Sequence, residues 1–227
     1  MMWYDFRGLL FLIPAMLLAL LARIFLKATY SKYGKVISST GMTGASAARR
    51  ILDDAGLHTV PIERIEGELT DHFDPGANVL RLSAGVYDSP SVSAIGVAAH
   101  ECGHAIQYSE NYAPMKLRGA LVKTTNFSSS ASFIIVLLGL FFGFEPLAWA
   151  GVILFSVVVV FQLITLPVEF NASGRAVKVL RGYLPPEENK GVKKVLTAAA
   201  MTYVAALLGA ILQLLRLVSL VSGSNRK

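Results

Sequence analysis

The sequence has a single cysteine, Cys102, so it holds no internal disulfide framework and carries no sign of an oxidising compartment. Charge is scarce: 16% of the 227 residues are Asp, Glu, Lys or Arg, against about 25% in an ordinary soluble domain. No internal repeat and no low-complexity segment is present. The net charge of +6 does not indicate nucleic acid, because the basic residues flank apolar runs and form no stripe with interleaved aromatics. What the chain has in abundance is hydrophobic residues, 54% of the total, with a mean hydropathy of +0.54. These values point to a lipid bilayer as its surroundings.

Four runs have the composition of membrane spans. The first is 9–25, with Trp3 and Tyr4 placed as interfacial anchors. No small-x-small site follows it, so it is expected to be an uncleaved anchor and not a signal peptide. The second and third, 131–142 and 147–166, flank a Gly143-Phe144-Glu145-Pro146 turn, and the second needs its 124–130 flank to reach full depth. The fourth is 196–215, rich in Ala and Gly. Lys27, Lys32 and Lys35 follow the first run, Lys116, Arg118 and Lys123 precede the second, Arg175, Lys178 and Arg181 follow the third, and Lys190, Lys193 and Lys194 precede the fourth. The other side carries Arg7, Glu145, Arg226 and Lys227. Retention of Lys and Arg in the cytoplasm then places 27–123 and 167–195 inside, with both termini outside if all four runs cross.

The expected organisation is therefore an anchor over 1–26, a cytoplasmic domain over 27–125, a membrane hairpin over 126–166, a second cytoplasmic segment over 167–195, and a last membrane helix and tail over 196–227. The fold class is a mainly α membrane protein of about four transmembrane helices with a small cytoplasmic α+β domain. Within that domain Thr43 is an N-cap for a helix burying Ala47, Ala48, Ile51, Leu52 and Ala55, with Gly56 as its stop. Asp74-Pro75-Gly76 is a turn before a short alternating strand over 78–83. Pro185-Pro186-Glu187-Glu188 reads as a loop between two helical patterns.

Ser89-Pro90 predicts the start of another helix, reaching about Tyr108. It carries His100-Glu101-Cys102-Gly103-His104. Histidines four apart on a helix are surface neighbours, so both rings can reach one ion. Glu101 lies about 100° around from His100, beside the ion and not on it. That pattern supplies two metal ligands and a general base. Ala98, Ala99, Gly103 and Ala105 are small enough for another element to come close. Cys102 falls on the apolar side and reads as core packing.

A catalytic zinc site takes three protein ligands and leaves a fourth position open. Glu145 lies on the wrong side of the membrane. Glu110 stands where a HExxHxxGxxH site has its third histidine, but that geometry requires glycine where this chain has Gln107. Glu169, just after Pro167 at the end of the third run, is preferred. One glutamate offered from a second helix is the gluzincin arrangement.

The runs DHFDPGANVLRLSAGVYDSPSVSAIGVAAHECGHAIQ, LPVEFNASGRA and LTAAAMTYVAALLGAILQLLRL resemble the YugP-type neutral zinc metallopeptidases, a bacterial membrane family, and more distantly the HtpX-type membrane proteases. The resemblance covers nearly the whole chain. It implies a membrane-bound zinc endopeptidase with one Zn2+ per chain held by His100, His104 and Glu169, Glu101 as base, and a zincin-like active site facing the cytoplasm. Substrates would be proteins or peptides at the membrane, and nucleic acid would not be a partner. Two positions depart from the pattern. Asn171 stands where an aspartate is expected, and Ser173 where HtpX-like enzymes have an aspartate supporting a zinc histidine. Both changes remove charge that tunes ligand basicity and metal affinity, so weaker activity than is typical of the family is expected.

Other readings stay open at this stage. Two histidines and a carboxylate also accept iron, cobalt or manganese. The chain could be an intramembrane site-2-type protease, although Ser89, Ser91, Ser93, Ser109 and Glu110 are polar for a buried span, or a scaffold with a structural metal. Substrate is expected to extend along the edge of strand 78–83. His72, Arg175 and Tyr183 are the candidate oxyanion donors.

Overall fold

The computed structural model describes residues 2–224, with side chains over 8–223. The side chains of Trp3, Tyr4 and Arg7, and Arg226 and Lys227 altogether, lie outside the described part. The chain is mostly helical: α1 (Met2–Gly34), α2 (Gly44–Asp54), β1 (Ile62–Ile65), β2 (His72–Asp74), β3 (Val79–Ser83), α3 (Ala84–Tyr87), α4 (Val92–Ser109), α5 (Ala113–Phe141), α6 (Glu145–Leu180) and α7 (Pro186–Ser224). Among the described residues four helices are long and apolar enough to cross a membrane: Gly8–Gly34, Ala113–Phe141, Glu145–Leu180 and Pro186–Gly223. The helix bearing His100 and His104 is not one of them.

The chain forms two compact units. The first comprises Met1–Arg23, Lys116–Pro167 and Thr202–Lys227. Its interior is small, built on Val136, Ala148, Val152, Leu217 and Val221, while Leu10, Phe127 and Ile153 face outward. An apolar exterior around satisfied helical backbone is the surface a bilayer tolerates. The α5–α6 hairpin closes tightly: a Cβ on Gly139 would lie 2.3 Å from the Ala148 amide nitrogen, so only glycine permits the approach. Gly143, at φ +65°, makes the turn between the two helices.

The second unit comprises Ile24–Met115 and Val168–Met201 and contains all the candidate site residues. Helix α2 begins as read, with Thr43 Oγ1 accepting from the Ser46 amide, and the chain turns after it at Gly56, φ +75°. Ala47, Ala48, Ile51 and Leu52 are buried; Ala55, expected on the same face, is exposed because the helix has ended at its C-cap there.

The sheet order is β1-β3-β2, with β3 parallel to β1 and antiparallel to β2. Strand β3 is therefore central. The expectation that a substrate extends along its edge is corrected: both its sides are already paired, and Leu80 and Leu82 are fully buried. Burial of each such side chain contributes roughly 1.5–3 kcal/mol, which accounts for the central position of the most apolar strand.

Helix α4 packs on this sheet and on α2, and nearly all its side chains are buried. It starts two residues later than Ser89-Pro90 implies. Ser91 is the cap, its Oγ accepting from the Ala94 amide at 3.2 Å. Residues 90–92 are held extended against 36–38, with Ser38 N donating to Pro90 O and Val92 N to Val36 O, each at 2.9 Å.

Helix α6 runs without a break through Pro167 to Leu180. Its 36 residues measure about 54 Å at 1.5 Å per residue, well beyond the ~30 Å hydrocarbon core. The segment expected to begin a separate cytoplasmic stretch at 167 is thus the continuation of one helix. Glu187 and Glu188, expected in a loop, form the first turn of α7, which opens at Pro186. Glu188 ties that turn to Ser38 and Ser39 through hydrogen bonds of 2.6–2.9 Å.

Candidate metal centre

His100 and His104 lie one turn apart on α4, with ring centroids 4.7 Å apart. Glu169 comes from α6, almost completely buried at 2% exposure. One ligand atom from each of these three residues lies within 4.8 Å of the others. The Nε2 atoms of His100 and His104 stand 3.2 and 3.6 Å from Glu169 Oε2. What lets α6 come this close is Gly103. A Cβ there would sit 2.8 Å from the Ala172 carbonyl oxygen and 3.1 Å from its Cα.

The hydrogen bonds around the histidines identify their free nitrogens. Gln107 Nε2 donates to the Val168 carbonyl at 2.8 Å and to Asn171 Oδ1 at 2.9 Å. A backbone carbonyl can only accept, so the amide orientation is fixed and Oε1 is the atom facing His104 Nδ1 at 3.0 Å. His104 Nδ1 must then carry the proton, which leaves Nε2 as a lone pair. Arg175 Nε donates to the same Asn171 Oδ1 at 2.7 Å, closing the chain on a second unambiguous donor. On the other ring, Ser173 Oγ lies 3.1 Å from His100 Nδ1, so Nε2 is again the nitrogen turned toward Glu169.

The result is a buried carboxylate and two imidazole Nε2 atoms converging on one another. Neutral imidazole and carboxylate ligands with engaged outer nitrogens are the donor set of a zinc site. The residues present fit such an ion.

Glu101 is buried beside this group. Its Oε2 accepts from the Phe73 amide at 3.1 Å. Burial pushes its carboxyl above the usual range, against a weaker opposite pull from His100 and His104. Since Phe73 belongs to β2, this N–H points away from β3, and the free edge of β2 faces Glu101.

The other residues singled out from sequence are accounted for. Glu110 is exposed, and its pair with Arg175 at 2.7 Å holds its carboxyl below the usual range. His72 Nδ1 is engaged with the Thr70 carbonyl at 2.7 Å. Tyr183 hydrogen-bonds Asp54 and packs against Arg50, so it is removed from the oxyanion candidates. Arg175 serves Asn171 and Glu110. Cys102 is fully buried, with its sulfur 3.6 Å from the Ala48 carbonyl, and burial pushes its thiol up. Sequence reasoning missed the role of Gln107, although its place on the histidine face was visible, and missed Phe73 altogether, because the contact is made by backbone.

A family model described as "Putative neutral zinc metallopeptidase" matches residues 8–222. The chain is 49% identical over 208 residues to the Bacillus subtilis (strain 168) protein named "Putative membrane protease YugP", covering 91% of this chain and 92% of that protein. No solved structure matches. A family match over nearly the whole chain, joined to a relative of this identity, is decisive: the chain belongs to the neutral zinc metallopeptidase family that this description names.

Proposed function

We infer that the protein is a zinc-dependent endopeptidase that hydrolyses proteins at the cytoplasmic face of the membrane. The observation that carries this reading is the meeting of His100, His104 and Glu169 beside a buried Glu101 that touches a free strand edge. His100 and His104 through Nε2, and Glu169 through its carboxylate, would hold one ion. When bound, zinc supplies a Lewis acid that brings the pKa of water to about 7 and polarises a peptide carbonyl.

The chain's own groups divide the remaining roles. Glu101 takes the proton of the attacking water and returns it to the leaving amine, a role suited to a carboxyl whose affinity for protons burial has raised. Gln107 keeps His104 in one tautomer, and Gln107 and Ser173 hold the two imidazoles in orientation. The edge of β2 replaces β3 as the place where an extended substrate adds as a further strand. The Phe73 amide on that edge donates to Glu101, so the base and the strand edge are adjacent.

Two features support action near the bilayer. Glu169 lies 24 residues beyond Glu145 on a continuous helix, about 36 Å along it, which is just past a hydrocarbon core entered near Glu145. The lysines and arginines at 27–35, 116–123, 175–181 and 190–194 support a cytoplasmic location for that end. The second compact unit is accordingly the zincin-like catalytic domain, and loops or tails of membrane proteins are its substrates. Purified full-length protein is expected to contain zinc and to degrade casein in a chelator-sensitive manner. Glu101→Gln should keep the zinc and lose the proteolysis. A Glu101→Gln protein as active as the original would overturn this reading, and a cellular role untouched by that change would favour a scaffold.

A further inference from the structure

We propose that a groove between α6 and α7 is a binding site for an anionic phospholipid whose headgroup carries hydroxyls. The groove encloses about 440 Å³. Phe170 and Met201, 47% and 44% exposed, form its apolar part. Lys178, Arg181 and Lys193 line its other part. A second cavity of about 480 Å³ shares Val177, Arg181 and Lys193 with the first and is bounded by Asn189.

Three observations select the occupant. First, Lys178, Arg181 and Lys193 have no acidic partner among the described residues; the nearby carboxylates are engaged elsewhere, Glu187 with Lys190 and Glu188 with Ser38 and Ser39. Three like charges gathered without a counter-ion favour an anion. Second, Asn189 is buried, at 7% exposure, and its Nδ2 donates to the Val177 carbonyl, yet its Oδ1 has no partner. A buried acceptor of this kind costs stability unless something donates to it. The oxygens of a phosphodiester carry no proton to donate, whereas a headgroup hydroxyl can donate. Third, the groove lies on the stretch of α6 just beyond the length that spans a hydrocarbon core, and on residues 193–201 of α7, both helices being candidate spans. Basic pockets between helices at the cytoplasmic headgroup level are suited to anionic lipids. A free phosphate would satisfy the cations but leave Phe170 and Met201 in water. A lipid satisfies the cations through its phosphodiester, Asn189 through its hydroxyl, and the apolar wall through its acyl chains.

This site is separate from the hydrolytic reading and stands or falls without it, although Ser173 belongs both to the groove and to the surroundings of His100. The test is native mass spectrometry of the full-length protein in detergent, with phosphatidylglycerol, phosphatidylmethanol and phosphatidylcholine added in turn. Phosphatidylglycerol should be retained over phosphatidylcholine, and over phosphatidylmethanol, which carries the same phosphodiester charge but no headgroup hydroxyl. Arg181→Gln with Lys193→Gln should weaken phosphatidylglycerol retention roughly thirtyfold, while Arg181→Lys with Lys193→Arg should restore most of it. Unchanged zinc content reports that the double variant is folded, and Lys178→Gln with Lys193→Gln serves if the first pair aggregates. Equal retention of phosphatidylcholine, no loss in either double variant, or complete displacement by millimolar inorganic phosphate would each overturn the assignment. Equal retention of phosphatidylmethanol would overturn the part given to Asn189.

Discussion

His104 Nδ1 lies 3.0 Å from Gln107 Oε1, and the Val168 carbonyl behind Gln107 determines that this contact is a donation from the ring. Histidine tautomers in metal sites are set by whatever the second nitrogen meets. Here that partner sits three residues along the same helix and is itself held by α6. Replacing Gln107 by Leu should therefore lower zinc affinity by about 10–100-fold with the three ligands untouched. Competition against a zinc-sensitive dye measures it, and an unchanged affinity would show that the ring needs no such support.

Asn171 was expected to weaken the site because it lacks the charge of an aspartate. In the fold its single neutral oxygen accepts from both Gln107 and Arg175, linking the two helices behind His104. An aspartate at this position could accept both bonds as well, and its charge would be balanced by Arg175. Asn171→Asp should consequently bind zinc at least as tightly as the natural sequence, whereas Asn171→Leu should bind it more weakly. If both bind alike, the relay from Arg175 to His104 has no energetic weight.

Much of this was legible because it depended on spacing. His100 and His104 are four apart on a helix, and helical spacing by itself puts their rings together. Thr43 and Gly56 delimit α2 through local capping chemistry, which sequence states directly. The paired edges of β3 were not legible, since strand order is decided by contacts among β1, β2 and α4 that lie far apart along the chain. The length of α6 was not legible either, since the run 147–166 gives the apolar span but not the turns that continue it past Pro167. Proline removes one donor and crowds one carbonyl, but a long helix held by packing on both sides of the site outweighs that local cost. The Phe73 contact was invisible because a backbone N–H has no residue identity to read.

Glu169 and Glu110 are separated by their surroundings. The first is buried against both histidines, and the second is exposed and neutralised by Arg175. Glu169→Gln should abolish stoichiometric zinc in purified protein, and Glu110→Gln should leave it intact. Metal analysis of the two variants prepared side by side decides the matter, and loss in the Glu110 variant alone would reassign the third ligand.

Glu101 makes a prediction with a sign. Because burial raises its carboxyl pKa, the metal-free folded protein binds this proton more tightly than the unfolded chain does. Its contribution to stability is therefore full below the ordinary glutamate range and is lost as pH rises through the raised value. Glutamine cannot ionise and can still accept from the Phe73 amide. In chelator, Glu101→Gln should melt at a higher temperature than the natural protein at neutral pH, with the difference closing toward about pH 4. A lower melting temperature at neutral pH would mean that the ionised carboxylate is stabilised where it lies.

Gly103 tests whether the metal site depends on how closely two helices approach, beyond the chemistry of its ligands. A methyl group at this position meets Ala172 backbone on α6 at 2.8–3.1 Å, and backbone atoms cannot swing aside as a flexible side chain would. The helices must separate, and Glu169, three residues before Ala172, moves with α6. Overpacking of this kind costs typically 1–3 kcal/mol, which the buried core around α4 can absorb without unfolding. A metal site tolerates such displacement less well, because its ligands have to stay at bonding distance. Gly103→Ala is accordingly expected to remain helical and monodisperse while losing most of its zinc. Gly85→Ala, where a Cβ meets nothing within 4 Å, should keep its zinc. If Gly103→Ala binds zinc as tightly as Gly85→Ala, the convergence of His100, His104 and Glu169 does not depend on the close crossing of α4 and α6.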